Sequence, residues 1–383
     1  MSLVARQHAL NCGAAILRFA VILALNRGND RAQKHGGHDM QSHTRRALNA
    51  LVLGILVLAS GTALAADPPA GTMQTITVHG AALAGNLSGD TADRKVYVYL
   101  PPDYASHKRQ RFPVIYFLHG FGQDSDFYAR TLGWPQSIDR GLATASLPGM
   151  IVVMPDAMTP YGGSMYSNSI TTGDWEAFVA KDLVSYIDQH YRTLARRDAR
   201  GLSGHSMGGY GTLRIAMKYP DVFGSLYAMS ACCLDPRGAT PSDGDLEKLT
   251  KMADVEAIPR IGRTTLAASA AWAPDAQRPP FFMDLPVRGG QTQPDVIARY
   301  AANAPTAMVS QYAPQMKRFK AIMMDIGLQD GLIRGNVMLH EAMQRVGIAH
   351  EYVNYEGDHV NKIPERFERN VLPWFAKQLS FDR

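Results

Sequence analysis

The sequence predicts an α/β fold with a largely parallel central sheet, and three observations carry that prediction. From Met73 onward, strand-like and helix-like segments alternate along the chain. Two of the strand-like segments, Val114–Leu118 and Met150–Met154, are unbroken apolar runs, as expected for strands covered on both faces. A further one, Ala199–Ser203, runs into Gly204-His205-Ser206-Met207-Gly208-Gly209 and then into a helix-like segment, which places a serine on a tight strand-to-helix turn.

The remaining elements follow in order. Lys95–Leu100 alternates with period two and ends at Pro101-Pro102, so it reads as an edge or antiparallel strand. Trp175–Tyr191 has helical spacing, with Phe178, Leu183, Tyr186 and Ile187 on one side. The serine turn opens a helix over Ser206–Tyr219 that Pro220 closes, and Ser225–Met229 is the next strand. Ala321–Met324, Leu332–Val346 and Tyr352–Tyr355 give strand, helix, strand, and an amphipathic helix over Glu365–Leu379 ends the chain. Residues 234–312 break the rhythm. They are rich in Pro, Gly and Ala and hold no clean sheet strand, so they read as a partly helical excursion over the carboxyl edge of the sheet. Their apolar content is too thin for a separate core, which leaves residues 66–383 as one domain. Trp272, Phe281 and Phe282 read as packing residues more readily than as pocket lining.

The N-terminal region reads as an export signal. Arg45 and Arg46 give a positive start, Ala47–Leu58 an apolar core, and Ala63-Leu64-Ala65 a small-residue cleavage site, so residues 40–65 are the expected signal peptide. The apolar run is short for a membrane span, and an uncleaved anchor is the lesser reading. The paired arginines leave a twin-arginine route open. Met40 is the expected start, with residues 1–39 a mis-assigned or disordered extension. Of 39 Lys+Arg and 34 Asp+Glu, residues 1–65 hold seven and two, leaving 32 of each in the following 318. That neutral balance removes the argument for nucleic acid as a partner. Lys108-Arg109-Gln110-Arg111 reads as a solvated loop. Cys232 and Cys233 are adjacent and do not indicate a disulfide framework; they read as two small buried hydrophobes after a core strand.

Acyl transfer by serine needs a nucleophile, a base, an acid that orients the base, and donors for the oxyanion. Ser206 is the candidate nucleophile, at the positive end of a helix. The strand–turn–helix hydrolases place the acid and then the base later in the chain. His359, four residues past the last strand, fits the base, whereas His350 lies at the wrong end of that strand and His340 lies mid-helix. Asp330, in the loop after Ala321–Met324, is favoured as the acid over Asp325, whose place at the strand end suits bonds to local backbone amides. Asp358 is too close in sequence to His359 to reach its ring. His119-Gly120-Phe121-Gly122 follows an early core strand, so the amides of Phe121 and Met207 are the candidate oxyanion hole; His119 reads as structural.

These residues resemble a known family, the esterase D/feruloyl-esterase-like branch of the α/β-hydrolases, which includes S-formylglutathione hydrolases and mycobacterial mycolyltransferases. The resemblance runs from about Val96 to Phe375. It is strongest in Leu118-His119-Gly120, in Ser203-Gly204-His205-Ser206-Met207-Gly208-Gly209-Tyr210 and in Tyr219-Pro220-Asp221-Val222-Phe223, with support from Gly327–Asp330 and Gly357-Asp358-His359. It implies an α/β-hydrolase fold with helices on both sheet faces, Ser206 as nucleophile, His359 as base, Asp330 as acid, and Phe121 and Met207 as oxyanion donors. The expectation is an exported serine esterase for a small-molecule ester, with neither metal nor organic cofactor. Two alternatives stay open: acyl transfer to a sugar or alcohol acceptor, and a surface binding protein on a hydrolase scaffold. An S-formylglutathione hydrolase role fits an exported chain poorly, because that thiol ester belongs to the cytoplasm.

Overall fold

The computed structural model describes residues 70–235 and 246–382. The expected signal peptide over 40–65 and the extension over 1–39 lie outside the described residues. The central sheet has eight strands: β1 Thr72–His79, β2 Asp93–Leu100, β3 Val114–Leu118, β4 Ile151–Pro155, β5 Arg200–His205, β6 Ser225–Met229, β7 Ala321–Gly327 and β8 Glu351–Tyr355. Their spatial order is β1-β2-β4-β3-β5-β6-β7-β8. β1 pairs antiparallel with β2 and β2 antiparallel with β4, while every pair from β4 to β8 is parallel.

β3 displays the physics of a strand covered twice. Val114, Tyr116 and Leu118 point into one apolar cluster, and Ile115 and Phe117 into a second on the opposite face. The second cluster is closed by α1 (Trp134–Thr144), through Trp134, Ile138 and Leu142, and by Phe367, Leu372 and Phe375 of the C-terminal helical segment. The first is covered by α2 (Val184–His190), α3 (Met207–Lys218) and α6 (Ile333–Arg345), and by two helices of the excursion, α4 (Thr264–Trp272) and α5 (Pro294–Ala302). The chain ends in α7 (Leu372–Gln378).

Several expectations are corrected in detail. The helix expected over Trp175–Tyr191 is interrupted by a π turn over Phe178–Leu183, and a second π turn over Phe367–Val371 precedes α7. The sequence reading assigned neither β1 nor α1. The described part of the excursion adds no strand to the central sheet; its one hairpin pairs Val287–Arg288 with Gln291–Thr292. Leu266, Trp272, Val296 and Tyr300 of the excursion join the cluster on the α3 face. Trp272 is a packing residue, as expected, wedged between Tyr210 and Tyr300 with its indole N–H donated to Ser167.

α3 is held from behind by charge. Arg214 Nε lies 2.6 Å from Glu176 Oε1, both side chains are almost fully buried, and Lys218 closes on the same carboxylate. Removing one partner of such a pair leaves a buried charge uncompensated. Among the described residues, no helix is long and apolar enough to cross a membrane.

Candidate active site

Ser206 sits between the last residue of β5 and the first of α3, with φ 58° and ψ −112°. A serine in that region stores roughly 1–3 kcal/mol of backbone strain, which the surrounding structure must hold. The flanking glycines make the turn possible by close approach. A Cβ on Gly204 would sit 2.4 Å from the backbone of Gly208, and one on Gly208 would sit 1.9 Å from the Leu118 carbonyl oxygen. The serine motif is therefore clamped between its own helix and the end of β3.

Three of the residues singled out in the sequence converge. The Ser206 hydroxyl and His359 Nε2 are 2.9 Å apart, and His359 Nδ1 is 2.8 Å from Asp330 Oδ2. The directions are consistent: Ser206 donates to Nε2, and the Nδ1–H donates to the carboxylate. Asp330 is buried, and its other oxygen accepts the Leu332 N–H at 2.8 Å. Burial pushes the Asp330 carboxyl up, but the bonds from His359 and Leu332 outweigh it and hold the group below the ordinary value. Such a chain can draw the proton from a serine hydroxyl as it attacks a carbonyl and return it to a leaving group.

Phe121 and Met207 stand together beside the nucleophile. Their side chains meet at Gly163, where a Cβ would sit 2.8 Å from the Phe121 ring and 2.7 Å from the Met207 sulfur. The Gly120 end of the same turn would bring a Cβ within 3.4 Å of Ser206 Cβ. Met207 opens α3, so its N–H has no acceptor within the helix. The excursion reaches this turn as well: Ile261 lies 3.5 Å from where a Gly122 Cβ would stand.

The rival acids fall elsewhere. Asp325 is fully buried and pairs with Arg366 at 2.6 Å and the Tyr227 hydroxyl at 2.8 Å. That corrects the expectation of bonds to local backbone amides; its side chain turns to the opposite sheet face, where an arginine compensates it. Asp358 accepts the N–H groups of Val360 and Asn361 and shapes the loop that carries His359. His350 pairs with His340. His119 is structural as expected, accepting the Ala157 N–H at Nε2 and donating from Nδ1 to the Gly120 carbonyl. Burial holds it below the ordinary histidine value.

Sequence reasoning missed the groups that hold this constellation. Gly120 N–H donates to the Tyr128 hydroxyl at 3.0 Å, Tyr128 donates to His205 Nδ1 at 2.9 Å, and His205 Nε2–H donates to the His359 carbonyl at 2.8 Å. A neutral histidine thus ties the glycine turn to the loop of the candidate base. Ser230 bonds to the Tyr355 hydroxyl at 3.2 Å and to Asp330, supporting the acid from behind. His205 was visible inside the serine motif, but nothing near Tyr128 or Ser230 marked them.

His205 carries a pH signature. Burial first, and the neighbouring His359 second, pull it from 6.5 down to about 3. Unfolding below pH 6.5 therefore takes up a proton that the folded chain refuses, so stability falls as pH drops from 6.5 towards 3. His205→Gln removes that term. Its urea midpoint is expected to fall less than the wild-type midpoint between about pH 7 and about pH 5.

A family model described as Esterase matches residues 91–367. The chain belongs to the Esterase family. Over 136 residues it is 40% identical to an esterase of Mycobacterium tuberculosis (strain H37Rv), covering 34% of this chain. That match spans only 27% of the mycobacterial protein. In structure the chain resembles a ferulic acid esterase (TM-score 0.58, 20% identity, 81% of this chain and 99% of that one). It also resembles the S-formylglutathione hydrolase FrmB of Staphylococcus aureus (TM-score 0.53, 16% identity, 80% and 99%). At those identities the likeness is one of fold, and the fold is the expected α/β-hydrolase architecture.

Proposed function

We propose that the protein hydrolyses carboxylic esters through an acyl-enzyme on Ser206. The single observation that carries the reading is the unbroken Asp330–His359–Ser206 hydrogen-bond chain on a strained turn. Ser206 attacks the ester carbonyl as His359 takes its proton, and Asp330 keeps the imidazole in the tautomer with Nε2 free. The N–H groups of Phe121 and Met207 receive the negative oxygen, and the N-terminus of α3 favours charge there. His359 then protonates the departing alkoxide, and a water activated by the same ring releases the acid.

An apolar substrate portion suits the surroundings. Ile261 lies over the glycine turn, Leu328 precedes Asp330 by two residues and Val360 follows His359, and all three are large exposed hydrophobics. Exposed apolar groups on the segments that carry a polar centre favour contact with an apolar acyl or alcohol group. Residues 40–65 support export, which N-terminal sequencing of the processed chain tests: a mature N-terminus near Ala66 is expected, and a processed chain that keeps residues 1–39 contradicts it.

A fluorophosphonate tests the nucleophile in this reading. Ser206 Oγ displaces fluoride, so one equivalent per chain is expected to label the protein and abolish hydrolysis of p-nitrophenyl esters. Stoichiometric labelling with activity retained would overturn the assignment.

A further inference from the structure

Two sulfurs lie beside the nucleophile and take no part in the hydrolysis proposed above. β6 ends at Met229, and the chain then turns through Ser230, at φ 42°, to Cys232 and Cys233. The Cys232 N–H donates to the Ser206 carbonyl at 3.1 Å, and its thiol is within hydrogen-bond reach of the Ser206 hydroxyl. On an extended backbone, neighbouring side chains point to opposite sides. Cys233 instead adopts φ 58°, a left-handed conformation uncommon for a residue with a side chain, and its sulfur lies 2.7 Å from that of Cys232. Both residues are half-buried rather than fully buried as the sequence suggested. Among the described residues they are the only free cysteines.

We propose that Cys232 and Cys233 are an oxidisable vicinal dithiol beside the nucleophile, closed to a disulfide by exchange with an external low-molecular-weight disulfide. The Cys233 thiolate attacks one sulfur of the external disulfide and releases one thiolate, leaving a mixed disulfide. Cys232 then gives its proton to solvent and attacks the Cys233 sulfur, which expels the second thiolate. The protein loses two protons and two electrons, and the external disulfide takes them up to become two thiols. The hydrogen bond to Cys233, and then burial, hold the Cys232 thiol well above the ordinary cysteine value, so Cys232 keeps its proton until the second step.

The usual obstacle to pairing adjacent cysteines is that consecutive Cα atoms are about 3.8 Å apart, closer than most disulfides allow. The left-handed turn at Cys233 answers it by bringing both sulfurs to one side. A bond closed across so short a span is strained and easily reduced, so the site cycles rather than acting as a permanent staple. The proposal stands on the sulfur geometry and is independent of the ester-hydrolase reading.

Peptide mass tests it without reference to activity. The full chain is incubated with oxidised glutathione, blocked with iodoacetamide and digested with trypsin, and the peptide Tyr219–Arg237 carries both cysteines. The expected peptide is lighter than the reduced form by two hydrogens, takes up no carbamidomethyl group, and reverts with dithiothreitol. In Cys233→Ser the two-hydrogen loss disappears. A wild-type peptide that keeps two alkylatable thiols, or stops at a glutathione adduct, would overturn the proposal.

Discussion

Ser206→Ala is expected to lower kcat on a p-nitrophenyl ester by about 10⁴- to 10⁶-fold, the range seen when a serine nucleophile that works as part of a unit is removed. The substitution is a clean one. Alanine at φ 58° carries the same backbone strain as serine, and the small side chain keeps the clearance that the glycine turn requires. What disappears is the oxygen 2.9 Å from His359 Nε2, and with it any covalent intermediate. Circular dichroism and thermal unfolding like those of the wild type confirm that the fold survives. Full activity in a folded variant would remove Ser206 from the chemistry, whatever the turn looks like.

Asp330→Asn carries the second-largest effect and separates the three acids that the sequence offered for the role of orienting His359. An amide at this position can donate from nitrogen to His359 Nδ1, which puts the ring proton on Nε2 and aims it at Ser206. That is the wrong tautomer for a base, and kcat is expected to fall by about 10³- to 10⁴-fold with KM little changed. Asp358→Asn serves as a control, because that carboxylate only accepts loop amides and lies outside the hydrogen-bond chain to Ser206; it is expected to change kcat by less than about threefold. Asp325→Asn strands Arg366 in the opposite sheet face, so its effect is expected in the melting temperature and not in the pH–rate profile. A loss in Asp358→Asn as large as in Asp330→Asn would reassign the acid.

These experiments follow from how unevenly the sequence recorded the structure. β3 and β4 were legible because a strand buried on both faces has to be apolar at every position. The Ser206 turn was legible because Gly204 and Gly208 approach other backbone too closely to carry a side chain. Asp330 and His359 followed from chain order once the strands were placed. β1 was not legible: it is an edge strand in which only Val78 is buried, so Thr-Met-Gln-Thr-Ile-Thr-Val-His shows little alternation. α1 has its apolar residues at helical spacing, in Trp134, Ile138 and Leu142, but Gly133, Pro135 and Gly141 mask the pattern. The Tyr128–His205–His359 tie joins residues 77 and 154 apart in sequence, and no local pattern encodes a partner at that distance. The same holds for Ser230 behind Asp330.

The central claim is that an acyl group passes through Ser206. Acid-quenched protein taken during turnover of a slowly deacylated p-nitrophenyl ester, digested with trypsin, tests it directly by fragment mass on the peptide Gly201–Arg214. The account predicts the acyl mass on Ser206 in the wild type and its absence in Ser206→Ala. An acyl group mapped to Ser203 or to another peptide, or steady turnover in folded Ser206→Ala, would contradict it.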